Sequence, residues 1–304
     1  MEIVGISCFT SEKWNRNICQ AKRVEMGTGI RFYKHGQKEP FQYRKGATFL
    51  ADKISQLLGE DKFLQTWRKN FTKQLGGDEV QFNNWLQSTA DFGTISHILY
   101  DEYHKGNLST EILEGLIADF GRDYKLGELA VTLAKETPKK NILAFRQFDI
   151  DHQTEIYAIE QMVTSEEIGI STPVDVLGKG MFSSSKGKKK EKCWFLGNLK
   201  SSESAQDHKW QCAIEYYCAS RSIFAGFDEM LPVVVGTIRP KDFKNEPTFE
   251  WKDYTDFATS EYAIKTIESV AEILKNTANP PNIRETKWNG VLQIDTPFDS
   301  VPLF

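Results

Sequence analysis

The chain has 304 residues, 40% hydrophobic and 12% aromatic, which is enough apolar material for a folded core and excludes a disordered chain. No window approaches the roughly 18 consecutive apolar residues of a membrane helix, and residues 1–16 lack the apolar centre of a signal peptide, so a cytoplasmic protein is expected. A formal net charge of −4 excludes a polycation that coats nucleic acid through bulk charge, and any attraction for phosphate must be local.

An opening β-type segment is followed by predicted helices over residues 49–58, 63–74, 80–106 and 109–120, where apolar residues recur at three- and four-residue spacings. Residues 141–150, 155–163, 172–177 and 193–199 are short and rich in Ile, Val, Phe or Trp, with turn-like stretches between them. They read as strands. A helix over 206–220 and a strand over 231–238 follow, with Pro232 tolerable at the strand's start. Residues 260–276 make an amphipathic packing helix that Ser260 can cap, with Ile264, Ile267, Val270, Ala271 and Leu274 on one face. Beyond Asn279-Pro280-Pro281, residues 281–304 read as a tail. The expected architecture is one α/β domain over residues 1–280, a mixed central sheet flanked by helices with a helical N-terminal half. The five cysteines form no CxxC pair and are odd in number, which argues against a disulfide framework and a structural zinc site.

Asp175 opens a stretch that runs outward and returns through Asn198-Leu199-Lys200. If these are antiparallel strands, Asp175 lies beside Asn198 and Lys200, which share a face because strand side chains alternate. A carboxylate next to such a pair suits divalent-metal phosphodiester cleavage: acids hold the ion, the ion activates water, and the ammonium orients or deprotonates that water. Surface hairpins also carry Asp and Lys without any such chemistry. His97, at the end of Gly93-Thr94-Ile95-Ser96-His97 in a predicted helix, reads either as a hydrogen-bonded core residue or as an imidazole ligand completing an oxygen-rich site.

These segments fall in a telling order. Phe63-Leu64-Gln65-Thr66-Trp67-Arg68, Leu75-Gly76, Ala90-Asp91-Phe92 with Gly93 to His97, Asp101 four residues on, Gly169 to Asp175, and Asn198-Leu199-Lys200-Ser201-Ser202 resemble the ordered motifs of RecB-like exonucleases of the PD-(D/E)XK type. That group includes phage enzymes and the mitochondrial genome maintenance exonuclease. Residues 43–50, with Thr48, resemble the group's Ser-x-Thr strand start, and the motif-bearing core spans about residues 30–240. The resemblance implies a restriction-endonuclease-like core and a DNA exonuclease of phage or bacterial replication, recombination or repair that uses Mg2+ or Mn2+. His97, Asp175 and Asn198, with the Leu199 carbonyl, would be metal ligands, Lys200 the catalytic lysine, and Glu160 an acid that supports the metal or sits as a solvated strand-edge residue. Gln211 would lie near the active site and DNA, although the group's Gln-x-x-x-Tyr here reads Gln211 to Glu215 before Tyr216. The iron–sulfur cluster of some members is not expected, because no cysteine follows Cys218.

Asn198 stands where the resemblance implies a second acid, and an amide lacks the charge that attracts a cation. Three readings follow: a degenerate nuclease that binds DNA without cutting, a site in which Glu160 or Glu191 substitutes, or a deliberate inactivating Asp-to-Asn change. On the last, favoured reading, Asn198→Asp raises metal-dependent cleavage by orders of magnitude.

Between the two site segments, residues 179–192 contain six lysines and one glutamate. A charge run is commonly a solvated loop, and here Lys186, Lys188, Lys189 and Lys190 would also lie beside the cleavage centre and contact DNA phosphates. Trp67, Tyr100 and Tyr103 are candidates to stack on single-stranded bases, against the alternative of core packing. The terminal Asp299-Ser300-Val301-Pro302-Leu303-Phe304 resembles peptides that dock on sliding clamps, or packs as a tail on its own domain.

Overall fold

The computed structural model describes residues 21–25, 31–35, 42–60, 62–74, 79–121, 128–183, 189–200, 208–224, 231–241, 247–277 and 292–293. Its strands are β1 (Ala21–Glu25), β2 (Arg31–His35), β3 (Gln42–Lys45), β4 (Glu155–Ser165), β5 (Ile170–Phe182), β6 (Glu191–Leu199), β7 (Val233–Pro240), β8 (Phe249–Asp253) and β9 (Leu292–Gln293). The helices are α1 (Ala47–Leu57), α2 (Lys62–Gln74), α3 (Glu79–His104), α4 (Thr110–Gly121), α5 (Glu128–His152), α6 (His208–Ser222), α7 (Thr255–Ala258) and α8 (Glu261–Thr277).

Among the described residues the strands form one mixed sheet, β8-β7-β6-β5-β3-β2-β1-β9, with β4 also paired to β5. Strands β4, β5 and β6 are antiparallel, whereas β6 and β7 are parallel and are joined through α6, because parallel neighbours need a crossover. Strands β5 and β6 are buried almost throughout, and the physical reason is that both faces are covered. On one face Val174, Leu177 and Leu196 pack with Leu50 and Ile54 of α1, Trp210, Ile214 and Tyr217 of α6, and Ile267 of α8. On the other, Val176, Phe195 and Leu199 pack with Ile95 and Leu99 of α3 and Phe145 and Phe148 of α5. Each such side chain, sealed from water, contributes about 1.5–3 kcal/mol.

Two expectations are corrected. Residues 141–150 are not a strand but the last turns of α5. Asn141, Ile142, Ala144, Phe145, Phe148 and Asp149 are buried while Leu143, Arg146 and Ile150 are exposed, a three-to-four spacing that the density of apolar residues conceals. Residues 43–50 are not one strand start either. β3 ends at Lys45, Gly46 is the extended N-cap residue, and Thr48 is an exposed position of α1. The C-terminal helix follows expectation: Ser260 Oγ accepts from the Ala263 N–H at 3.1 Å, and Ile267, Val270 and Ala271 are buried. Gly169, φ +65°, closes the turn between β4 and β5, so turn geometry already accounts for a glycine there. No helix among the described residues is long and apolar enough to cross a membrane.

Candidate metal centre

Three adjacent strands bring their polar residues to one level. Val176 pairs with Gly197, which puts Asp175 of β5 beside Asn198 of β6, and the Leu199 N–H donates to Asp175 Oδ2 at 2.8 Å. On the other side, Gln161 pairs with Val174 and Ile159 with Val176, so Glu160 of β4 falls opposite Asp175. Glu160 has φ +54°, a left-handed conformation inside a strand. For a non-glycine residue that costs about 1–3 kcal/mol, and such outliers gather at functional sites where the surroundings hold them.

Helix α3 delivers the fourth group. Ile95 and Leu99 anchor it in the core, and His97, between them, reaches the sheet at the level of these acids. His97 Nδ1 lies 3.0 Å from Glu160 Oε1, and its Nε2 lies 3.3 Å from the Leu199 carbonyl oxygen and 3.7 Å from Asp175 Oδ2. The donor atoms of His97, Glu160 and Asp175 all fall within 4.8 Å of one another, so one imidazole and two carboxylates converge in a set that could hold a metal ion. The centre is open on one side, since the His97 and Glu160 side chains keep 26% and 21% of their exposure.

Burial pushes the His97 imidazole down, but Asp175 and the hydrogen-bonded Glu160 outweigh it and raise the group to about 9. With no cation bound, the imidazolium form suits this geometry, because both ring nitrogens face oxygen acceptors. A cation would take the place of that proton and sit among the same oxygens.

No protein-family model matches the chain, and no curated protein matches it either.

The other residues singled out in the sequence divide sharply. Lys200 begins where β6 ends, its N–H bonded to the Ile238 carbonyl and its Nζ donating to Gln211 Oε1 at 3.4 Å. Asn198 is wholly buried and is turned toward α6. Its Nδ2 donates to Glu215 Oε2 at 2.6 Å and lies 3.6 Å from Cys212 Sγ, while its Oδ1 accepts from Gln211 Nε2 at 2.9 Å. Both ends of the amide are thus engaged by the helix, and it is Glu160 that joins His97 and Asp175 in the converging set of imidazole and carboxylates.

The described lysines of the run lie elsewhere. The run is not a loop throughout: Lys179 belongs to β5 and Lys192 to β6. Phe182 pairs with Glu191 at the closed end of the β5–β6 hairpin, a strand path of about 23 Å from Asp175, so Lys189 and Lys190, next to Glu191, are not beside the centre. Lys189 and Lys190 are exposed, Lys190 bonding the Asp151 carbonyl at 3.1 Å, and Glu191 is exposed at the same remote end. Lys186 and Lys188 lie outside the described residues, as does the segment 299–304.

Tyr100 is fully buried with its hydroxyl donating to Asp149 at 2.9 Å, so it is not free to stack on a base. Tyr103 is half-buried with the Arg146 guanidinium 5.1 Å from its ring centroid, and Trp67 stacks on Phe71 at 5.6 Å within a cluster that includes Phe82 and Trp85. Asp101 and Glu102 both pair with Lys105. Sequence reasoning met Glu215 only as a departure from a motif. Its signal was a lone acid among Trp210, Cys212, Ala213, Ile214, Tyr217 and Cys218, all buried in α6.

Proposed function

We propose that this centre hydrolyses DNA phosphodiester bonds in a PD-(D/E)XK, restriction-endonuclease-like core of the RecB-like type, using Mg2+ or Mn2+. The observation that carries the reading is the convergence of His97, Glu160 and Asp175 within 4.8 Å, with the Leu199 carbonyl beside the imidazole and Lys200 next in the chain. His97, Glu160, Asp175 and the Leu199 carbonyl would hold the ion. A bound divalent ion supplies Lewis-acid chemistry: it lowers the proton affinity of water and offsets charge on the phosphate. Glu160 and Asp175 fix the imidazole and provide negative charge for the cation. Lys200, its ammonium steadied by Gln211, orients the attacking water and meets the phosphate oxygens. Of the three accounts of Asn198, the geometry favours the altered site in which Glu160 stands in, because both ends of the Asn198 amide are engaged by Glu215 and Gln211 of α6.

The exonuclease mode, and a role in phage or bacterial replication, recombination or repair, rest on the resemblance of the motifs. A sliding clamp is proposed as partner for the segment 299–304. The test is release of nucleotides from single- and double-stranded DNA with Mg2+ or Mn2+, against EDTA and against Asp175→Ala. Metal-dependent cleavage lost in the variant supports the reading, and equal release in both proteins sinks it. A second reading, DNA binding without cleavage, is favoured by one observation: Asn198 directs both polar ends to α6 instead of the centre. Salt-sensitive binding without any cleavage by the wild-type chain would select it.

A further inference from the structure

Helix α6 places a further acid against the centre. Glu215 is wholly buried, and its two oxygens accept from two neutral amides, Asn198 Nδ2 at 2.6 Å and Gln211 Nε2 at 2.9 Å. Gln211 Nε2 also donates to Asn198 Oδ1 at 2.9 Å, and Gln211 Oε1 accepts from Lys200 Nζ at 3.4 Å. One carboxylate therefore sets every orientation in this chain of groups. When Glu215 is ionised only an N–H can face its oxygens, so Asn198 turns its oxygen toward Gln211, and Gln211 turns its own oxygen outward to the Lys200 ammonium.

Sealed from water with only neutral amides on its oxygens, Glu215 carries its charge only at a cost and keeps a proton when no cation is near, and a neutral glutamine would fill the same space. The cost has a use if the charge serves a cation nearby. Asn198 stands next to Asp175 across the β5–β6 pairing, and Leu199, the next residue, bonds Asp175 through its N–H and lies against His97 through its carbonyl.

We propose that Asn198 and Glu215 work as one split acid: the strand residue supplies the shape beside Asp175, the helix residue supplies the negative charge for the cation at His97, Glu160 and Asp175, and Gln211 passes the orientation on to Lys200. This rests on the metal-centre reading above. Glu215 is a positioning residue that touches neither the cation nor substrate.

The test is Mn2+ binding to the full chain, followed by calorimetry and by the electron paramagnetic resonance of the bound ion. It compares wild type, Glu215→Gln, and the exchanged pair Asn198→Asp with Glu215→Gln, which moves the charge from helix to strand. Glu215→Gln is expected to weaken Mn2+ binding about tenfold or more, and the exchange to restore it to within roughly threefold of wild type. Unchanged affinity in Glu215→Gln, or an exchanged pair no tighter than Glu215→Gln, overturns the proposal. Circular dichroism and thermal melting report folding. Should Glu215→Gln not fold, the exchanged pair decides alone: near wild-type affinity supports the split acid, and a tenfold loss overturns it. A wild-type chain that binds no Mn2+ takes down the metal reading and this proposal together, whereas tight wild-type binding with an indifferent Glu215→Gln removes the split acid only.

Discussion

The two ends of the β5–β6 hairpin make opposite use of charge. At the closed end the cations are many in sequence, and Lys179, Lys190 and Lys192 are engaged locally: Lys179 is buried with its ammonium 4.5 Å from the Trp194 ring centroid, Lys190 bonds the Asp151 carbonyl, and Lys192 lies 3.9 Å from Glu155. At the open end the charged groups are few, come from α3, β4 and β5, and meet around one point. Density of charge along a chain marks a solvated surface, and a centre arises where isolated charges are carried into the interior and made to face each other.

The largest effects that would break this contrast lie at the open end. His97→Ala or Asp175→Ala is expected to weaken Mn2+ binding by about a hundredfold or more in a calorimetric titration, since each removes a converging ligand. Lys200→Ala is expected to lower the cleavage rate by about 10²–10⁴-fold while Mn2+ still binds, which a single-turnover assay reads.

Asn198→Asp separates the two accounts of that position. With Glu215 supplying the charge, the gain in cleavage stays below about tenfold, against the orders of magnitude that the motif resemblance alone implies. At pH 9 and without metal, unfolding by denaturant should show a loss of about 3 kcal/mol, because two carboxylates would meet where Asn198 now donates to Glu215.

A pH effect follows from the same acid. Burial, reinforced by the charge of Asp175, pushes Glu215 up to about 8, although hydrogen bonds from Asn198 and Gln211 and the charge of Lys200 pull the other way. Its ordinary value is near 4.5, so between these two values the folded chain holds a proton that the unfolded chain has lost. Stability of the metal-free protein should therefore decline as pH rises from about 4.5 to about 8. His97 adds a decline of the same sign as pH rises from 6.5 through about 9. Denaturation in EDTA across this range should show Glu215→Gln flattening the lower part of the slope and leaving the upper part.

The smallest effect is expected at the closed end. Neutralising the exposed Lys189 and Lys190 together should leave the salt dependence of DNA affinity within about one unit of slope. A clear drop in that slope would return the closed end to the DNA contact surface.

Much of this was legible locally. Period alone located α1, α2, α3, α4 and α8, and the Ser260 cap was readable from one residue and the face behind it. The pairing of Asp175 with Asn198 followed from strand alternation and an antiparallel return. The strand reading of 141–150 failed because Leu143 and Ile150, apolar yet exposed, filled in the gaps of a helical pattern.

By itself the sequence determined the elements whose signal is a repeat along the chain, and it named His97, Asp175 and Lys200 from their order. Only the tertiary structure decided that Glu160 bends out of strand geometry toward His97, that Asn198 faces α6, and that Glu215 stands behind it. Those facts depend on which face of one element packs against which face of another, and a contact between residues far apart in the chain leaves no period for the sequence to display.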